Sequence, residues 1–143
     1  MTSIFKFIDH TADIAVEAAG STYEELFLAA LEGWKDSIID QKDNETGIEI
    51  KAINFEEESV EELLVSFLQE FNYLFESKRI FPIKVNELKI IDYKNVFQLE
   101  SNIAFCKISD TDNIKNEIKA VTFHQLDIKK EDDLYKTIIV FDI

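Results

Sequence analysis

The chain has 143 residues, 46% of them apolar and twelve of them phenylalanine, which is enough to bury a core in one domain spanning residues 1–143 and argues against intrinsic disorder. Its 29 acidic and 15 basic residues give a formal charge of −14, so the surface repels a phosphate backbone and little direct nucleic-acid binding is expected. A single cysteine, Cys106, excludes an internal disulfide framework, and no apolar run reaches bilayer length or forms a signal core; the expectation is a cytoplasmic protein without a membrane segment.

The first apolar run, Ile4 to Ile8, reads as a strand that breaks abruptly into Asp9-His10-Thr11-Ala12-Asp13. Taken alone, those acids read first as turn caps, because Asp and Thr bond local backbone amides. A strand end is also where side chains leave a sheet and converge on a ligand, which makes the same carboxylates candidate metal or catalytic groups. Ile14 to Ala18 resumes the strand pattern, and Gly20-Ser21-Thr22 ends it. Ser21 and Thr22, each followed three residues later by a glutamate, predict a helix start, with Tyr23, Leu26, Phe27, Ala30, Leu31, Trp34 and Ile38 on one stripe.

Residues 40–46 are polar and close with Gly47, a loop ahead of a strand over Ile48 to Phe55 in which Ile48, Ile50 and Ala52 alternate. Ser59-Val60-Glu61-Glu62 repeats the capping spacing and opens a second helix with a wide apolar stripe from Val60 to Phe75. The acids Glu56 to Glu58, Glu61 and Glu62 suit the positive end of that helix and are given no chemistry. Beyond Phe81, with Pro82 at a strand entry, strands are expected at Ile83–Ile91, Val96–Ile103, Ala104–Ile108, Glu117–Ile128 and Tyr135–Phe141. Asp92 to Asn95 reads as a hairpin loop, and residues 109–116 read as a polar crossover or hairpin tip. Two amphipathic helices among many strands, without strict alternation, predict an α+β two-layer sandwich: a mostly antiparallel or mixed sheet with both helices packed on it.

Two further places put polar groups into apolar strands. The run Ile138 to Phe141 ends in Asp142 and the carboxylate of Ile143, two negative groups that want a cation or a donor. Lys119 shares a strand face with Val121 and Phe123, where a lysine either snorkels at an edge or pairs with a carboxylate site; His124 falls on the opposite face. There is no glycine-rich phosphate loop, no HExxH and no nucleophile elbow, and two histidines with one cysteine do not build a closed zinc site. Carboxylates suit a hard, oxygen-preferring cation instead.

Phe7-Ile8-Asp9-His10-Thr11-Ala12-Asp13, the Glu-Glu-Leu-Phe of Glu24 to Phe27, the run Ile118 to His124 and the closing Phe141-Asp142-Ile143 together resemble the archease family from end to end. That resemblance implies a non-catalytic partner of the GTP-dependent RNA-splicing ligase, which joins a 3′-phosphate or 2′,3′-cyclic phosphate to a 5′-hydroxyl. The partner promotes guanylylation of the ligase and its multiple turnover in tRNA splicing. It further implies a divalent cation, calcium first and magnesium or manganese as alternatives, held by Asp13, Asp142 and the Ile143 carboxylate. Lys119 matches the family's functional lysine, while Asp9 is a weaker candidate and His10 a residue that fixes the turn. The chain departs from the family pattern at Ser101-Asn102, at Ile108 to Thr111 and at Ala15. Two other classes remain open: a small metal-dependent phosphoester hydrolase using Asp9, Asp13 and Asp142 with His10 as base, and a general chaperone-like modulator of nucleic-acid enzymes.

Overall fold

The computed structural model describes residues 3–8, 13–40, 45–109, 112–122 and 126–143. The α+β expectation holds: among the described residues two helices accompany eight strands, and every strand pairing is antiparallel. The strands divide between two sheets. In the five-stranded sheet β1 (Ser3–Ile8) pairs β2 (Asp13–Gly20), β2 pairs β8 (Leu134–Asp142), and the far edge of β8 is shared by β6 (Ala120–Thr122) and β7 (Lys129–Glu131). The three-stranded sheet has the order β3 (Glu49–Glu57), β5 (Val96–Lys107), β4 (Ile80–Tyr93).

Both helices begin where the capping spacing places them. Thr22 accepts a hydrogen bond from the Glu25 amide at 3.1 Å and opens α1 (Tyr23–Ile38); Ser59 accepts one from the Glu62 amide at 3.1 Å and opens α2 (Val60–Lys78). Each first turn carries two glutamates, which complement the helix dipole. Helix α1 lies on β1, β2 and β8 and reaches β4; α2 lies on the three-stranded sheet and on β6. One continuous apolar cluster joins both helices to both sheets, with Trp34 stacked on Phe81 at 5.9 Å and Phe67 edge-on to Phe71 at 4.8 Å. Cys106 is buried within it.

The structure gives one expected strand its face and changes two other expectations. The alternation Ile48, Ile50, Ala52 exists but points outward: Ile50 is 64% exposed, and the register Ile53↔Ser101 and Phe55↔Leu99 turns Ile53 and Phe55 inward. Parity in a strand is set by its partner, not by which of two apolar sets is larger. Val96–Ile103 and Ala104–Ile108 are one strand, β5, and β4 already includes Pro82, beside a register shift between Pro82 and Lys84 that accommodates the missing amide donor. The single strand expected over Glu117–Ile128 is absent: among the described residues of that range only β6 is strand, and β7 begins just after it at Lys129. The stretch before β6 spends its backbone groups elsewhere: the Lys115 amide donates to the Ile38 carbonyl at 2.7 Å, and the Ile118 carbonyl accepts from the Asn72 side chain at 2.8 Å.

Candidate functional site

Asp13 is the first residue of β2, and Asp142 the last of β8; the two lie directly opposite each other in the β2–β8 ladder. Residues opposite each other in an antiparallel pair share a face, with β-carbons about 5 Å apart. Two carboxylates from opposite ends of the sequence are therefore brought to one place by pairing alone. Asp142 is in turn opposite Ala120 of β6, and its carbonyl accepts a hydrogen bond from the Lys119 amide at 2.7 Å. Ile143 follows at the sheet's end, 42% exposed.

It is the beginning of β2, and not the end of the first strand, that adjoins β8; β1 lies on the other side of β2. Asp13, the last residue of the acidic stretch, therefore takes its place in the β2–β8 ladder. Of the residues expected at the site, Asp13, Asp142, Ile143 and Lys119 come together. Asp9 and His10 lie outside the described residues, as does His124. Lys119 contributes its backbone amide; its side chain is exposed, and among the described residues its ammonium makes no ion pair.

Two residues that sequence reasoning overlooked hold this corner. Asn72, on the buried stripe of α2, accepts from the Trp34 indole at 3.1 Å and donates to the Ile118 carbonyl, while Gln69 donates to the Val121 carbonyl at 3.1 Å. They strap the segment carrying Lys119 to α2. An asparagine within an apolar helical stripe was the available signal. A cavity of about 350 Å³ opens beside Asp13, lined by Phe7, Ile8, Ser37, Lys115 and Asn116 among others. Its polar groups are already engaged: Ser37 donates to the Trp34 carbonyl at 2.7 Å, Asn116 to the Ser37 carbonyl at 2.8 Å, and Lys115 pairs with Asp40 at 2.9 Å.

As a donor set, Asp13, Asp142 and a terminal carboxylate are all hard oxygens, which suits calcium-like or magnesium-like cations and not a thiolate- or imidazole-preferring metal. Among the described residues no cluster of three or more His, Cys, Asp or Glu side chains is assembled. A full coordination shell would draw on main-chain oxygens or water. Among the described residues no helix is long and apolar enough to cross a membrane.

Residues 5–143 match the family model of the archease protein family. The archease of Archaeoglobus fulgidus is 34% identical over 143 residues, covering 97% of this chain and 98% of the relative; that of Methanosarcina barkeri is 34% identical over 144 residues, covering 97% and 95%. Among solved structures, protein 1598 of Methanobacterium thermoautotrophicum superposes with a TM-score of 0.82 at 28% identity, covering 97% of this chain and 98% of that one. A Thermotoga maritima protein described as an archease and possible chaperone superposes with a TM-score of 0.61 at 31% identity, covering 96% of each chain. The chain belongs to the archease family.

Proposed function

We propose that the protein is a non-catalytic cofactor of a GTP-dependent RNA-splicing ligase, promoting guanylylation of the ligase and its multiple turnover in tRNA splicing. One observation carries the reading. In a chain of this family, matched from residue 5 to residue 143, the two acids of the resemblance stand opposite each other at one end of a sheet. The formal charge of −14 supports a protein partner over direct RNA contact. Asp13, Asp142 and the Ile143 carboxylate would hold the divalent cation, which when bound neutralises the opposed carboxylates. Lys119, exposed beside them, would meet the partner. The Lys119 amide fixes the Asp142 main chain, so the end of β8 is held in place by β2 on one side and by the β6 segment on the other.

The test is a ligase assay with purified ligase, GTP, a divalent cation and RNA bearing 3′-phosphate and 5′-hydroxyl ends. Adding the protein should raise the ligase–guanylate yield and the number of ligations per ligase. Asp142→Asn should abolish the gain and the calcium-dependent rise in melting temperature while the fold survives. A ligase equally active without the protein sinks the reading. The words "possible chaperone" attached to the Thermotoga maritima relative favour a second reading, a broader chaperone-like modulator. Suppression of aggregation of unrelated client proteins, together with an unaffected ligase, would favour it.

A further inference from the structure

Three hydrogen bonds between separate parts of the fold run head to tail. The Trp34 indole N–H donates to the Asn72 side-chain oxygen at 3.1 Å, the Asn72 side-chain N–H donates to the Ile118 carbonyl at 2.8 Å, and the Lys119 amide donates to the Asp142 carbonyl at 2.7 Å. The Ile118 carbonyl and the Lys119 amide belong to one peptide group, so the second bond ends on the unit from which the third begins. A trans peptide points its C=O and its N–H in opposite directions; here the C=O turns to α2 and the N–H to the end of β8. Donor follows donor from the indole of α1, through one side chain of α2, to the main chain of Asp142.

Most of this path is out of water: Trp34 is fully buried, Asn72 is 5% exposed and Ile118 1%. In surroundings of low dielectric, aligned amide dipoles polarise one another, so each bond strengthens the next. Both upstream members are fixed, Trp34 by its stacking on Phe81 and Asn72 by its place on the buried stripe of α2. What they hold is the last residue of β8, which faces Asp13 of β2 on its other side. Strand ends fray unless tied down. Loosening the peptide group of residues 118 and 119 loosens the outermost hold on β8, and the oxygens that Asp142 and Ile143 bring to a cation then cost more to order. Gln69 offers a contrast within the same helix: it donates to the Val121 carbonyl at 3.1 Å and does not touch that peptide group.

We propose that Asn72 is a positioning residue for the cation of the acidic corner, setting its affinity through the 118–119 peptide group, and that Trp34 registers the cation through the same chain of bonds. The proposal rests on the cation reading above. Such coupling is reciprocal, so a group that tightens cation binding is itself tightened by the cation. The test titrates the protein with calcium chloride alone. Calorimetry gives the affinity, and the proton resonance of the indole N–H, from the only tryptophan of the chain, is followed along the same titration. In the wild type that resonance should move with the calorimetric midpoint. Asn72→Ala should bind calcium at least about tenfold more weakly, as loss of a group that holds a metal ligand in place does, and its indole resonance should stay still. Gln69→Ala should bind within about twofold of wild type and keep the shift. Thermal melts establish folding; Asn72→Ser, too short to span both groups, replaces the alanine variant if that does not fold, and the wild-type resonance needs no variant. A still wild-type resonance, an unchanged affinity in the Asn72 variant, or a Gln69→Ala weakened as much as that variant overturns the proposal and leaves the cation reading standing. Absence of any calcium binding by the wild type overturns both, while the ligase assay judges the ligase reading separately.

Discussion

Asn72 has both ends of its amide engaged where three segments meet: the indole of α1, its own helix, and the main chain at Ile118. Replacing it with alanine strands a buried indole N–H and a carbonyl, and desolvated unpaired groups of that kind cost about 1–3 kcal/mol each. Asn72→Ala is expected to lower stability by about 2–4 kcal/mol in urea titrations, with ligase stimulation falling further than Gln69→Ala because the segment bearing Lys119 loses its deeper anchor. Tyr23 gives a pH signature. Burial, then the charge and hydrogen bond of neighbouring Tyr135, raise its phenol above the ordinary 10.0. The folded state thus prefers the neutral phenol, contributing stability that is complete below the unfolded value and lost as pH rises through the raised one. Tyr23→Phe should flatten the loss of the urea midpoint between about pH 9 and pH 11. At this scale the resemblance grouped Asp13 with Asp142, and the β2–β8 register places them opposite each other; read by residue type alone, they were two separate acids that interrupt apolar strands. It assigned Lys119 by its ammonium, whereas the contact with Asp142 is made by its amide, which has no residue-type signature.

Helices were the most legible elements because their evidence is local: a cap, a glutamate three residues later and a stripe repeating every turn lie within one stretch of chain. All eight residues of the stripe read for α2, from Val60 to Phe75, are buried. Strands carry only a period of two, and which set faces inward depends on a partner far away, so the alternation of Ile48, Ile50 and Ala52 did not show which face they occupy. The segment before β6 was illegible for another reason, since its hydrogen bonds go to a helix end and to side chains of α2 and not to a ladder. The seating of α1 on β2 yields its own test. Gly33 within a helix costs about 1 kcal/mol relative to alanine on propensity alone. Its added β-carbon, however, would stand 2.7 Å from Val16, too close without moving the helix off the sheet. Gly33→Ala is expected to destabilise by about 1–3 kcal/mol, read as a lower melting temperature, and a rise instead would show that the α1–β2 contact yields easily.

Across the whole molecule, the α+β class was legible from the count and order of elements, while the division into two sheets was not, because nothing local says that β3, β4 and β5 pair only with one another. The same division orders events in time. β4 and β5 are joined by a tight hairpin at Lys94-Asn95, both with positive φ, so this pairing closes over a short loop. The β2–β8 ladder instead joins residues 13–20 to residues 135–142, nearly the full length of the chain. Long-range pairings of this kind form late. In pulse-labelling hydrogen exchange during refolding, amides of β5 are expected to gain protection before those of β8. The acidic corner, which exists only where Asp13 meets Asp142, would then serve as a built-in maturity check: a chain whose halves have collapsed but not yet joined presents a core without presenting a partner site.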